Sequence, residues 1–158
     1  MHIQPRRAMA YITGGPLAPN IVGTVIFSTV LGGTEVAVEV QGLPPYKPGA
    51  EGIDPVGPHG FHIHENGNCD IDNPAAPFGS TGGHWNPTNQ PHGNHAGDFP
   101  VLFSNNGYFR MTFFTNKFTV PQIIGRSVII HESPDDYRTQ PAGASGRKLA
   151  CGIIQKVM

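Results

Sequence analysis

The sequence has no basic run, no long apolar run and no convincing helical periodicity. Charged residues make up 13% of the 158 residues, and the formal net charge is −1. Without a basic patch interleaved with aromatic residues, no nucleic acid partner is expected. No apolar stretch approaches the roughly 18 residues that a membrane helix needs, so no membrane association is expected either.

Cysteine is equally scarce, since Cys69 and Cys151 are the only two. Metal thiolates are disfavoured because neither belongs to a Cys-x-x-Cys pair. Burial as small hydrophobes is an alternative, but one disulfide between the central loop and the last strand is favoured. It would close a loop of about 83 residues and stabilise the fold by roughly 4–5 kcal/mol.

The start of the chain, MHIQPRRAMAYIT, carries Arg6 and Arg7 but no apolar stretch of the kind found in secretory signals. It is therefore not an intact signal, and we expect a numbering that begins after a removed one. Because a disulfide persists in oxidising surroundings, an extracytoplasmic or secreted location is favoured over a cytoplasmic one.

Glycine and proline are abundant, at 21 and 16 residues, and they punctuate short strand-like runs. In residues 34–43, alternation places Val36, Val38 and Val40 on one face. The pattern predicts an all-β fold, a single antiparallel sandwich or flattened barrel of about eight strands without helices, in one domain over residues 1–158. The predicted strands are 8–13, 21–27, 34–43, 60–65, 100–103, 108–114, 126–132 and 149–155.

Three stretches are too long for ordinary turns: residues 44–58, 65–100 and 132–148. Loops of this length without secondary structure in a compact domain are usually functional. They lack a core of their own, so crosslinks or metals are expected to order them.

Histidine is the residue in excess, with eight in the chain. His2 and His59 are read as ordinary residues, and His59 is expected to bond to the backbone. The remainder form clusters that end in one carboxylate: His62, His64, His84, His92, His95, Asp98 and His131. Imidazole suits zinc and copper. Imidazoles with a hard carboxylate fit zinc, and an all-imidazole set fits copper.

The motif GFHIHENGNC places His62 and His64 on either side of Ile63. Side chains two apart in a strand share a face. Both imidazoles should therefore point one way, while Phe61 and Ile63 point into the core.

Linked motifs resemble the copper-zinc superoxide dismutases, in particular their bacterial branch. These motifs are HGFHIHENG, GGHWNP, HAGDFP, GRSVIIHE followed by DD, and LACGII. The resemblance runs from about Ala8 to Ile154. It implies a Greek-key β-sandwich with long metal-binding loops and a Cys69–Cys151 disulfide.

The resemblance also implies a ligand for each metal position. His84 would bridge the two metals, and Asp135 would link His62 to His92 from the outer shell. The copper set would be His62, His64, His84 and His131, and the zinc set His84, His92, His95 and Asp98. The implied reaction is the antioxidant dismutation of superoxide anion to dioxygen and hydrogen peroxide by redox-cycling copper beside structural zinc.

One departure from the family concerns the cation at the mouth of the active-site channel. The family usually has arginine three residues before the final cysteine, where this chain has Lys148 with Arg147 beside it. Either cation could attract superoxide. The match in frame to LACG favours Lys148, although a bulge could bring Arg147 inward.

Two rival functions stay open at this level: a metal-binding homologue or copper chaperone domain without activity, and a structural sandwich holding zinc alone. The first typically lacks some copper ligands, whereas this chain has all of them. The second leaves His62, His64 and His131 unexplained. Family members are monomers or homodimers, so a homodimer is among the expected assemblies.

Overall fold

The computed structural model describes residues 4–158, so His2 lies outside the described residues. Eight strands form over this range. They are β1 (Arg7–Gly14), β2 (Val22–Val30), β3 (Gly33–Gln41), β4 (Phe61–His64), β5 (Phe109–Thr115), β6 (Ser127–His131), β7 (Lys148–Ile153) and β8 (Gln155–Lys156).

The strands form one curled antiparallel sheet in the order β4-β6-β7-β1-β2-β3-β5, with β8 paired to β1. The first three strands are a meander. The chain then crosses to the far edge to form β4 and returns beside β3 to form β5, which is a Greek-key type of connection. The predicted all-β sandwich is confirmed.

Burial follows the predicted alternation. On β3, Val36, Val38 and Val40 are at most 1% exposed, while Glu35 and Glu39 face solvent. On β4, Phe61 and Ile63 are fully buried and join the main hydrophobic core. The sheet therefore curls around one apolar core, and the opposite face of β4 is free to carry its two histidines.

Two local predictions are wrong. Residues 100–103 do not form a strand, because only Leu102 pairs, in an isolated bridge with His59. The described residues also contain a short α-helix, α1 (Val120–Ile123), which begins with a capping box in which the Thr119 N–H donates to Gln122 Oε1 at 2.8 Å. The Thr-x-x-Gln spacing is a sequence signal for this turn.

The predicted disulfide is confirmed: Cys69 and Cys151 are bonded, with their Cα atoms 5.8 Å apart. It fixes the start of the long central loop to β7, beside buried Phe78 and Ile129. Among residues 4–158, no helix has the length and apolar character needed to cross a membrane.

Candidate metal centre

The strand-borne histidines meet at one end of the sheet. His62 and His64 lie on β4 and His131 ends the neighbouring strand β6. His84 reaches them from the central loop, where it pairs with His64 in an isolated bridge and stacks on the His62 ring at 3.8 Å between centroids. One ligand-type atom from each of these four buried residues lies within 4.8 Å of the others.

Asp98 is the centre of the loop-borne group. Its Oδ1 lies 3.2 Å from His84 Nδ1 and 3.3 Å from His95 Nδ1, and its Oδ2 lies 3.3 Å from His92 Nδ1. The backbone N–H groups of Gly93 and His95 donate to Oδ2, both at 2.9 Å. Ligand-type atoms of His62, His84, His92 and Asp98 lie within 4.8 Å of one another, and His95 adjoins this group through Asp98.

Hydrogen bonds to carbonyls fix the tautomers of two rings. His64 Nδ1 donates to the Gly82 carbonyl at 2.8 Å, and His131 Nδ1 donates to the Gly146 carbonyl at 3.2 Å. In a neutral ring this leaves a lone pair on each Nε2. The two Nε2 atoms face each other at 3.2 Å, an arrangement that suits a shared cation between them.

Asp135 joins the two groups from behind. Its carboxylate accepts from His62 Nε2 at 2.6 Å and from His92 Nε2 at 2.8 Å, and both side chains are fully buried. Each ring is thereby held with its Nδ1 directed towards the cluster. A carboxylate behind a ligating imidazole is the usual way to orient the ring and raise its basicity.

The remaining ring atoms test whether metals fit. Among the described residues, buried nitrogens without a hydrogen-bond partner are His62 Nδ1, His84 Nε2, His92 Nδ1 and His95 Nδ1. Buried polar atoms are normally satisfied, so a cluster of spare nitrogen lone pairs indicates metal ligation. His84 offers Nε2 to the strand-borne group and Nδ1 to the loop-borne group. The donor sets therefore fit two metals that share one imidazole.

Electrostatics keep four of the rings neutral, those of His62, His64, His95 and His131. Burial, together with the charges of His131 and His84, holds the pKa of both His62 and His64 well below the usual value. Burial also lowers the pKa of His131, to about 3, and lowers that of His95. Neutral imidazoles have the lone pairs that a metal requires.

Asp98 behaves in the opposite way. Burial alone would raise its pKa, but the hydrogen bond from His84 and the charges of His92 and His95 lower it. The Asp98 carboxylate is therefore ionised at neutral pH. One hard anion among imidazoles is a donor set typical of zinc.

The two candidate channel cations have different surroundings. Lys148 lies opposite His131 in the β6–β7 ladder, next to a register shift. Its Nζ donates to Thr81 Oγ1 at 2.8 Å, to the Gly82 carbonyl at 3.1 Å and to the Phe78 carbonyl at 3.3 Å. Burial lowers the pKa of Lys148.

Arg147 instead forms a two-point ion pair with Glu132, with distances of 2.7 Å from Nε and 2.9 Å from Nη2. Its side chain is 55% exposed. The pairing partner lies 15 residues away along a loop, a separation that leaves no pattern in the sequence.

Several supporting residues were not predicted from sequence. The carbonyls of Gly82 and Gly146 and the hydroxyl of Thr81 act through backbone placement or a common side chain, so they carry no motif. His59 is fully buried and its ring nitrogens lie 2.9 Å from the His131 carbonyl and 3.1 Å from the Pro44 carbonyl. Its predicted bonding to the backbone is confirmed.

The fold and site together define a β-sandwich metalloprotein with two adjoining histidine-rich sites. Residues 21–154 match the family model described as copper/zinc superoxide dismutase (SODC). The chain is 40% identical over 155 residues to the Cu-Zn superoxide dismutase of Deinococcus radiodurans, covering 87% of this chain and 79% of that protein. The chain belongs to the copper/zinc superoxide dismutase family.

Other relatives agree with this assignment. The Cu-Zn superoxide dismutase of Brucella abortus is 33% identical over 147 residues, covering 85% of this chain and 79% of that protein. Among solved structures, a double mutant of a SOD-like protein from Bacillus subtilis superposes with a TM-score of 0.72 at 30% identity. That match covers 93% of this chain and 96% of the other.

Proposed function

We propose that this protein is a copper-zinc superoxide dismutase, an oxidoreductase, whose two metals share the imidazole of His84. Copper would be held by His62 Nδ1 and by the Nε2 atoms of His64, His84 and His131. Zinc would be held by the Nδ1 atoms of His84, His92 and His95 and by Asp98. The observation that carries this proposal is the set of spare, buried ring nitrogens directed at two adjoining points.

Bound copper supplies one-electron chemistry, so that one superoxide is oxidised to dioxygen while a second, with two protons, is reduced to hydrogen peroxide. The protein holds the ligand rings in fixed orientations. Asp135 fixes His62 and His92, and the Gly82 and Gly146 carbonyls fix His64 and His131. Holding both metals would require His84 without a proton on either nitrogen, a form that two nearby cations would stabilise.

Lys148 is the cation that we assign to substrate attraction. Its ammonium group adjoins Gly82, whose carbonyl also accepts from the candidate copper ligand His64. The acceptors around Nζ anchor the charge near the copper position, so its contribution is a fixed field that draws in an anion. Arg147 is neutralised by Glu132 and is assigned a structural role.

The disulfide and the bacterial relatives support a location in an oxidising compartment outside the cytoplasm. A homodimer stays a prediction, and sedimentation of the metal-loaded protein would measure it.

The test of function is superoxide dismutation by protein loaded with both metals, compared with protein loaded with zinc alone. We expect the rate to follow copper content and to vanish without copper. A protein that binds a full complement of copper and still fails to accelerate dismutation would instead be a metal-binding homologue.

A further inference from the structure

Residues 135–143, here called the clasp, fold over the stretch that carries the candidate zinc ligands His92, His95 and Asp98. The clasp is closed on itself, because the Asp136 N–H donates to the Gly143 carbonyl at 3.0 Å and the Gly143 N–H donates to the Thr139 carbonyl at 2.7 Å. Gly143 has φ +70°, and a Cβ there would overlap Asp135 Oδ1 and lie 2.5 Å from His92 Nε2. The clasp therefore lies directly against the His92–Asp135 pair.

Gln140 forms hydrogen bonds to one end of the stretch that carries the candidate zinc ligands, at His92. Its Oε1 accepts from the backbone N–H of His92 at 2.7 Å, and its Nε2 donates to the His92 carbonyl at 3.2 Å. The same Nε2 donates to the Arg138 carbonyl at 3.1 Å. One side-chain amide thus holds both backbone polar groups of a single ligand residue, as a neighbouring strand would. This fixes the peptides on either side of His92, and so the direction of its imidazole.

Tyr137 forms a hydrogen bond to the other end of this stretch, next to Asp98. Its hydroxyl donates to the carbonyl of Phe99, the residue after Asp98, at 2.9 Å. Its backbone N–H donates to Asp135 Oδ1 at 2.7 Å. Tyr137 has φ +58°, a left-handed conformation that is rare for a bulky residue and persists only where the surroundings impose it.

We propose that Gln140 and Tyr137 are positioning residues that hold the two ends of the zinc stretch, so that the zinc ligands stand in place before the metal arrives and release it slowly. The inference rests on the proposed function, because it takes His92 and Asp98 as zinc ligands. A loop-borne site otherwise has to order its own backbone on binding, which costs conformational entropy. The clasp reduces that loss for the two ligands at the ends.

The experiment measures zinc release from protein loaded with copper and zinc into an excess of a chromogenic chelator. Gln140→Ala should speed release about tenfold, the lower end of the effect of outer partners, because its side chain is exposed. Gln140→Glu keeps the acceptor for the His92 N–H but loses the donor, so its rate should fall in between. Tyr137→Phe should speed release a few-fold, since it removes only the hydroxyl.

Two matched controls separate the clasp from general loosening. Gln90 is an exposed amide on the same long loop and bonds to Thr88 and Asn94 rather than to the zinc ligands. Tyr108 is exposed to nearly the same extent as Tyr137, 39% against 40%. Gln90→Ala and Tyr108→Phe should release zinc at the wild-type rate, and copper release should be unchanged in all five variants.

Zinc release from Gln140→Ala and Tyr137→Phe at the rate of their controls would overturn the clasp, as would equal acceleration of copper and zinc release. The second result would mark a general loss of stability. A wild-type protein that takes up copper but never zinc would overturn the proposed two-metal site itself.

Discussion

The two halves of the metal centre are built differently. Three of the candidate copper ligands lie on paired strands, β4 and β6, whose backbones are fixed by the sheet. The candidate zinc ligands lie in a loop whose backbone is held by side chains: Asp98, Gln140 and Tyr137. The sheet therefore keeps the backbone of the strand-borne half rigid, whereas the loop-borne half depends on added side-chain contacts.

Removing the disulfide should have the largest effect on stability. The bond that is lost is one that holds the loop half. The bond ties the start of the central loop to β7 across a separation of 82 residues. A Cys69→Ser, Cys151→Ser double variant should lose about 4 kcal/mol of unfolding free energy, since the unfolded chain gains freedom. Denaturant unfolding measures this loss.

Treatment with reductant should lower the unfolding free energy of the wild type towards that of the double variant. The unfolding free energy of the double variant itself should not change with reductant. Wild-type stability that does not change on reduction would show that the loop half is held without this bond.

Replacing Asp135 should have the next largest effect, and it should lower the affinity for one metal more than for the other. Asp135→Asn loses one of the two acceptor oxygens that hold His62 and His92. We expect zinc affinity to fall roughly 10–100-fold and copper affinity to fall less, because β4 still places His62. Metal retained after dialysis against a chelator measures both.

Asp72→Asn is the matched control, because this exposed carboxylate on the central loop accepts from Ser80 Oγ and not from a candidate metal ligand. A greater loss of copper than of zinc in Asp135→Asn would contradict the contrast between the halves.

Lys148 tests the copper half alone. Lys148→Ala should slow dismutation about tenfold at low salt without removing copper, because the residue attracts the anion and binds no metal. The difference should shrink at high salt, where screening weakens exposed charges. Lys148→Arg should retain or raise the rate, since guanidinium donates two parallel hydrogen bonds.

Arg147→Ala is the comparison for Lys148, and it should leave the rate close to that of the wild type because Glu132 already neutralises Arg147. A large loss in Arg147→Ala with steady activity in Lys148→Ala would transfer the role to Arg147.

The smallest effect concerns the phenol of Tyr137 in the loop half. Burial, reinforced by the charge of Asp135, raises its pKa to about 12. Since the folded pKa lies above the unfolded value near 10, the neutral phenol stabilises the fold below the unfolded pKa. This contribution is lost as pH rises through the folded pKa. The stability difference between wild type and Tyr137→Phe should therefore shrink over that window.

Unfolding midpoints across the alkaline range measure this dependence, with Tyr108→Phe as the control. A difference that stays constant through that range would mean that burial and the charge of Asp135 do not raise the pKa of the Tyr137 phenol.

The strand half was predictable from sequence because alternation is a local rule. His62 and His64 share a face while Phe61 and Ile63 enter the core, as two-residue periodicity requires. The other candidate ligands were predicted from the linked motifs, through their resemblance to the copper-zinc superoxide dismutases. Periodicity alone could not have placed His92 beside Asp135.

The contacts by which Gln140 and Tyr137 support the loop half were not predictable. Gln140 and Tyr137 bind backbone atoms more than 35 residues away in sequence, and any residue offers such atoms. The partners of Lys148 are likewise a hydroxyl and two carbonyls brought in by chain folding. Long-range hydrogen bonds from side chains to the backbone follow no fixed residue spacing, so the sequence does not predict them.

The central claim is that one chain holds two different metals joined through His84, and metal analysis tests it most directly. Protein grown with both metals and dialysed free of loosely bound ions should contain about one copper and one zinc per chain, the occupancy expected of two sites with these donor sets. His84→Ala should weaken retention of both metals. Zinc alone after copper loading, or a His84→Ala variant that retains both metals as tightly as the wild type, would contradict the account.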